Sequence, residues 1–406
     1  MTNITVATSI VERLQNLGYI AYFAGGWVRD YLLNFPSDDI DIATNAPIEV
    51  IQAIFSKTLP VGVSFGIVIV VEEGHQFEIA TFRKERDYVD GRRPQFIESC
   101  SPEEDAKRRD FTINGPFYDP IKKQLHDFVQ GEKDIRTGII RAIGNPIDRF
   151  KEDRLRMLRA IRYSTRFGFQ IEHHTQEGIK ELALELFPAV SKERVYQELQ
   201  KMDLYDTLGD SLRQLLRHHL LKVIFPEISH LEDSIILSQI HAIDQLPKKT
   251  PLIAKLALLF HDFETEVKLQ SLGALKISKK EQHLIEYLDR VKESYSSIAI
   301  DDFQLVHLYS HEFFPLAVNF YKHIKGLQKE AIHAEKHAES MSPFIERIQK
   351  KKPLISASDL INEGVPPGQL MGLILKEAEK LSINEKILDQ SQLLKRLKTS
   401  EIWPFK

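Results

Sequence analysis

The hydrophobic pattern of this chain changes period near residue 146, and that change constrains what it can fold into. Before it, short β-branched and apolar runs at residues 19–24, 40–43, 66–71 and 77–82 read as strands, with a helix-like stretch at 48–55. After it, Leu, Ile and Ala recur at three- and four-residue spacing and glycine becomes sparse. Residues 150–167 read as one amphipathic helix with many arginines, and 191–205, 212–224, 251–260 and 279–294 continue in that style. The predicted fold class is therefore an α/β N-terminal head, a mixed sheet with helices, followed by an all-α elongated C-terminal region. This divides the 406 residues into a head (1–145), a helical neck (146–205), a helical body (206–300) and a helical tail (301–406).

Composition narrows the setting. With 43% hydrophobic and 28% charged residues, the chain has the make-up of a soluble globular protein. A single cysteine, Cys100, excludes an intrachain disulfide and suits a reducing compartment. The first twenty residues lack the apolar core of a signal peptide, and the apolar run 252–260 is interrupted by Lys255 and too short for a bilayer. A cytoplasmic protein with no membrane partner is expected. The net charge of -4 means that any nucleic-acid contact must use local patches: Lys192 and Arg194, Arg213, Arg217 with His218 and His219, Lys276 with Lys279 and Lys280, or Lys350–Lys351–Lys352.

The chemistry-bearing residues begin with Asp38–Asp39–Ile40–Asp41–Ile42–Ala43. On a strand, residues two apart share a face, so Asp39 and Asp41 would present two carboxylates side by side. Their repulsion is relieved by a divalent cation, and magnesium favours carboxylate oxygens with water and phosphate. Standing alone, the same pattern describes a solvated strand end or a helix cap. Upstream, Gly25–Gly26–Trp27–Val28–Arg29–Asp30 reads as a strand, a two-glycine turn and a helix. Such a turn lets backbone N–H groups approach a phosphate, with Arg29 placed to fork onto a triphosphate oxygen. The other reading is a tight turn with Arg29 salt-bridged to a neighbour. Glu78, alternating with apolar residues, either completes the carboxylate set or faces solvent on its strand. In Arg108–Arg109–Asp110–Phe111–Thr112–Ile113–Asn114, Arg109 is the residue placed to meet a triphosphate, while Asp110 and Asn114 organise the turn and orient the arginines.

The run Glu152–Asp153–Arg154–Leu155–Arg156, continuing through Arg159 and Arg162 on the same predicted helix, sets Asp153, Arg156 and Ala160 on one face. Cytosine and adenine both offer an amino donor beside a ring-nitrogen acceptor; uracil and guanine offer the reverse. An Asp–Arg pair would accept C and A and reject U and G, because a wrong base leaves buried polar groups facing like partners. An ordinary i,i+3 salt bridge is the plainer alternative.

Together and in this order, segments 25–30, 39–44, 82–94, 108–114, 152–159 and 191–194 resemble the class II tRNA nucleotidyltransferases, the CCA-adding enzymes, and the related bacterial poly(A) polymerases. These belong to the polymerase-beta-type nucleotidyltransferase superfamily. The resemblance covers roughly residues 20–205, about half the chain. It implies untemplated addition of C, C and A to the 3′ end of tRNA from CTP and ATP, with release of pyrophosphate. It also implies Mg²⁺ at Asp39 and Asp41 and triphosphate contacts from Gly26, Arg29 and Arg109. Taken with the reading of the residues, the candidate catalytic carboxylates are Asp39, Asp41 and Glu78, and the candidate nucleotide-binding residues are Gly25, Gly26, Arg29, Arg108, Arg109, Asp153, Arg156, Arg159 and Arg162. A flexible loop over 83–94 is a further implication. One departure is Gly115–Pro116 after Asn114, where many members have alanine and an apolar residue. The run 60–66 resembles tRNA-type members more than poly(A) polymerases, and the loop is intact, unlike in CC-only members. Addition of A alone and poly(A) synthesis remain as alternatives. From a different class, His261–Asp262 suggests a metal phosphohydrolase of the HD type, although Phe263–Glu264–Thr265 replaces the glycine-lysine usual there.

Overall fold

The computed structural model describes residues 2–35, 37–60, 66–88, 94–296 and 300–405, which form two units, Met1–Asp233 and Ser234–Lys406. In the first, helix α1 (Asn3–Asn16) is capped by Thr2 and buries Val6, Ala7, Ile10, Val11 and Leu14 along one stripe. There follow β1 (Ala21–Ala24), α2 (Gly26–Leu32), β2 (Asp41–Thr44), α3 (Ile48–Ile54), β3 (Thr58–Leu59), β4 (Ile67–Glu72) and β5 (His75–Thr81). Next come β6 (Arg83–Tyr88), β7 (Pro94–Ser99), α4 (Pro102–Lys107), β8 (Phe117–Asp119), β9 (Gln124–His126), α5 (Gly131–Thr137) and β10 (Ile139–Ile140).

Seven strands form one sheet in the order β3-β4-β5-β2-β1-β8-β9. Only β2 and β5 run parallel, so the sheet is mixed, as the sequence predicts. Register follows from the two-residue side-chain period. Phe23 pairs with Ile42, Ile42 with Ile79 and Ile79 with Val68, a fully buried row across four strands. Ala24, Ala43, Phe82, Ala106 and Phe117 build the core on the other face. The segment expected as a flexible loop over 83–94 instead begins and ends as an antiparallel ribbon, β6 with β7, with Arg83 opposite Ser99 and Tyr88 opposite Pro94. Its tip at 89–93 and the stretch 61–65 lie outside the described residues.

The neck departs from expectation. Residues 150–167 are not one helix: α6 (Pro146–Glu152) ends before Asp153, and α7 (Leu155–Phe167) begins after Arg154. Asp153 is extended (φ −150°, ψ 106°) and its carboxylate accepts the Leu155 amide at 3.0 Å. An aspartate that takes a nearby backbone N–H offers the chain an alternative to the helix ladder, and here that alternative wins. Asp153 and Arg156 therefore do not share a helix face. Beyond β11 (Gln170–Ile171), helices α8 (His173–Leu182), α9 (Lys192–Leu204), α10 (Leu208–Arg217) and α11 (Leu220–Ile224) complete the unit, with α9 and α10 both packed on α7.

Helices are the regular structure of the second unit among its described residues, as the spacing predicts. Its helices run from α12 (Asp233–Asp244), α13 (Leu252–Ala257), α14 (Thr265–Gly273) and α15 (Lys279–Ser296) to α16 (Asp302–Tyr309), α17 (Phe314–Tyr321), α18 (Gln328–Ser340) and α19 (Ser342–Gln349). The last three are α20 (Ala357–Asn362), α21 (Gln369–Asn384) and α22 (Gln390–Lys398), gathered around Leu360, Ile374, Leu393, Leu397 and Trp403. No helix among the described residues is long and apolar enough to cross a membrane.

Candidate active site

The sheet register assembles the acidic cluster. Asp41 opposes Ala24 on β1, and the parallel pairing of Ile42 with Ile79, extended by one residue, sets Asp41 beside Glu78. Asp39 precedes the strand in the same segment. Burial, and then the nearby charges of Glu78 and Asp39, push the Asp41 carboxyl up to about 7, with Arg109 opposing. Glu78 is pushed up by burial and by Asp39, against Arg83. A carboxylate whose proton affinity is raised by two neighbouring carboxylates suits a bound cation, whose charge removes the penalty. Among the described residues no three His, Cys, Asp or Glu side chains have the geometry to hold a metal by themselves. Magnesium-type ions commonly take one or two protein carboxylates and complete their shell with water and substrate phosphate, so the donor set fits that use.

The glycine turn abuts this cluster. Gly25 has φ +66°, and a Cβ built there would lie 3.3 Å from Asp41 Oδ2 and 3.7 Å from Arg109 Nη1. Only glycine combines that backbone angle with such closeness to the carboxylate and guanidinium.

The arginines are held in a defined way. Asp105, buried on α4, takes Arg109 through Nε and Nη2 at 3.2 and 3.1 Å and Arg108 through Nη2 at 2.7 Å. These two guanidiniums outweigh the cost of burial and keep Asp105 ionised. The i,i+3 and i,i+4 spacing of Asp105 to the arginines is the signal in the sequence that points to it. Arg29 is 3% exposed, bonded to Asp30 at 2.7 Å and to Asn114 at 2.6 Å. The salt bridge of the alternative reading is present. As expected, Asp110 and Asn114 organise this region: Asn114 bonds Asp110 at 2.9 Å, and its carbonyl accepts from Arg109 at 3.0 Å.

In the neck, Asp153 pairs with Arg194 at 2.7 Å rather than with Arg156, and Arg156 Nη1 donates to Glu152 at 2.5 Å and to the Arg149 carbonyl at 2.8 Å. Arg159 reaches Asp110 at 2.6 Å, and Arg162 is buried against Glu198 at 2.6 Å. Arg194 and Glu198 are partners that only the packed helices reveal, whereas Glu152 stands four residues before Arg156 in the chain.

Asp110 carries a pH consequence. Burial alone would raise its pKa, but Arg159, the Asn114 amide and Arg156 hold the carboxyl well below the usual range. A depressed carboxylate adds stability that is present above the unfolded-state pKa of about 4 and is lost as pH falls toward the folded value. We expect Asp110→Asn to lower unfolding free energy by about 3 kcal/mol at pH 7, because Arg159 is left unpaired. The difference from the parent should shrink below about pH 4. Urea titrations at pH 7 and pH 3 check this; an equal difference at both would remove the ion pair from the account.

In the second unit, His261 Nε2 stands 3.8 Å from Asp262, and burial, then Lys292, lowers its pKa. The pair sits beside a cavity of about 370 Å³.

A mixed sheet bearing an acidic cluster beside a glycine turn, with arginines converging from a following loop, defines a nucleotidyltransferase head. Residues 21–141 match the family described as Poly A polymerase head domain, and 168–231 match the probable RNA and SrmB-binding site of polymerase A. The CCA-adding enzyme of Ligilactobacillus salivarius is 33% identical over 394 residues, covering 96% of this chain and 94% of that one. That of Leuconostoc mesenteroides is 33% identical over 393 residues with the same coverage, and that of Bacillus cereus 44% identical over 199 residues, 48% of this chain. The crystal structure of the Bacillus stearothermophilus CCA-adding enzyme in complex with CTP superimposes with a TM-score of 0.74 at 25% identity, covering 98% of both chains. The chain belongs to the CCA-adding enzyme family, and as a nucleotidyltransferase of that family it uses a divalent metal.

Proposed function

We propose that this protein adds C, C and A to the 3′ end of tRNA from CTP and ATP without a nucleic-acid template, releasing pyrophosphate, with Mg²⁺ as its metal. The observation that carries this reading is the meeting of Asp41, Glu78, Gly25 and Arg109 at one end of the sheet. Relatives that match nearly the whole chain bear the name CCA-adding enzyme, and solved structures of similar fold contain CTP, ATP or tRNA_CCA.

In this reading Asp39 and Asp41 hold the metal and Glu78 completes the acidic wall. When bound, Mg²⁺ supplies charge neutralisation for the triphosphate and for the RNA 3′-hydroxyl that attacks it. Gly25 and Gly26 let the backbone approach the phosphates, while Arg108 and Arg109, pre-set by Asp105, meet their negative charge without reorganising. Asp153 accepts from the amino group of C or A, and Arg156 donates to the ring nitrogen. Arg156 uses Nη1 for both of its described bonds, which leaves Nε and Nη2 for a base edge. The chemistry belongs to residues 1–145 and base choice to 146–205, while 206–300 and 301–406 hold the RNA body. Arg159, Arg162 and Arg29 act through their ion pairs. A cytoplasmic site of action suits a tRNA substrate.

The test uses purified protein, a tRNA transcript lacking its last three nucleotides, and each labelled nucleotide alone and together. We expect C addition from CTP alone and a further A only when ATP joins it. Incorporation of A alone onto a transcript already ending in CC, with none of C, would make this an A-adding enzyme; long A tracts on unrelated RNA would make it a poly(A) polymerase.

A further inference from the structure

Arg29 stands where a phosphate contact is expected, at the start of the helix after the glycine turn, yet its guanidinium is engaged elsewhere. Nε and Nη2 donate to Asp30 at 2.8 and 2.7 Å, and Nη1 donates to the Asn114 side chain at 2.6 Å. The rings of Tyr163 and Phe167, both on α7, lie 5.0 and 4.8 Å from its central carbon. A Cβ built on Gly26 would come within 3.5 Å of Arg29 Nη2, so the guanidinium lies directly beneath the turn.

From Arg29 the contacts close into a ring. Asn114 donates to Asp110 at 2.9 Å, Asp110 accepts from Arg159 at 2.6 and 2.8 Å, Arg159 donates to the Tyr163 hydroxyl at 2.9 Å, and Tyr163 stacks back on Arg29. A second tie runs from Arg166 on α7 to Asp30 at 3.4 Å. Arg29, Asp30, Asp110 and Asn114 come from the head; Arg159, Tyr163, Arg166 and Phe167 come from the helix that also carries Arg156.

We infer that Arg29 is a positioning residue, not a phosphate ligand: it fixes the distance between the glycine turn, where the nucleotide phosphates sit, and the helix that reads the base. This rests on the function proposed above. A nucleotide anchored at its phosphates presents its base edge at a set distance. The Asp153–Arg156 pair discriminates only while that helix keeps its place, since a shift of the order of 1 Å is enough to degrade such geometry. Arginine suits the role because its planar fork bonds two acceptors while lying against aromatic rings, which lysine cannot do.

The experiment compares parent, Arg29→Lys and Tyr163→Phe in the full chain with excess Mg²⁺. Tyr163→Phe removes only the hydroxyl that closes the ring and keeps the aromatic face. Two quantities are read: competition by inorganic tripolyphosphate, which reports phosphate binding without a base, and the incorporation ratios of C over U and A over G on tRNA. We expect tripolyphosphate inhibition unchanged within twofold in both variants, with the ratios falling about tenfold in Arg29→Lys and less in Tyr163→Phe. If Arg29→Lys does not fold, Tyr163→Phe alone decides by the same criteria. Weakened tripolyphosphate competition in Arg29→Lys, or undiminished ratios in the folded variants, overturns the inference. Failure of the parent to add C and A in this assay instead overturns the function on which it rests, so the two failures are distinguishable.

Discussion

Asp41→Ala is expected to lower nucleotide addition by about a thousandfold or more, the scale seen when a central electrostatic group is removed from a site. The fold should survive. Asp41 is one of three carboxylates, and its charged form is disfavoured by burial, by Glu78 and by Asp39. Truncating it removes repulsion, and its partner across the sheet is the small Ala24. Asp39→Ala is expected to show the same loss. Circular dichroism and thermal unfolding check the fold, and single-turnover extension of tRNA checks the rate. A well-folded variant that keeps magnesium-dependent extension would remove the acidic cluster from the chemistry.

The second large effect is on base choice. Asp153→Ala should lower discrimination of C over U and of A over G by about a hundredfold, because the acceptor that meets the amino group is lost while Arg156 remains. Arg156→Ala should do the same from the donor side. Asp153 is fixed by Arg194 and accepts the amide of Leu155, the first residue of α7, so its loss also loosens the approach to that helix. For that reason Asp153→Asn is the informative companion: it retains an oxygen to accept the Leu155 amide but adds donors opposite the base. Competition between all four nucleotides at equal concentration gives the measurement. If each variant lost activity equally with every nucleotide and misincorporated none, the pair would be structural or phosphate-binding.

These two outcomes rest on features of different legibility. Asp39, Asp41 and the glycine turn were readable because strand period and turn stereochemistry are local rules that act over a few residues. The row Phe23–Ile42–Ile79–Val68 obeys the same rule, and the strands expected from β-branched runs formed within a few residues of the expected bounds. The neck departs from its apolar pattern for an equally local reason. Helical spacing continued through Asp153, but a carboxylate that captures its own downstream amide breaks a helix that the apolar pattern alone would continue.

The sequence by itself determined the α/β head, the helical remainder, the acidic pair, the glycine turn and the order of motifs that marks the family. Each depends on residue type at short spacing, where backbone geometry leaves few choices. Only the tertiary structure decided the long-range partners: Asn114 for Arg29, Arg194 for Asp153, Asp110 for Arg159 and Glu198 for Arg162. A guanidinium entering a buried site must find whatever carboxylate the packing brings within about 3 Å, and residues far apart in the chain compete for that place on equal terms. Spacing along the sequence cannot rank those competitors; the fold, by fixing which helices meet, does.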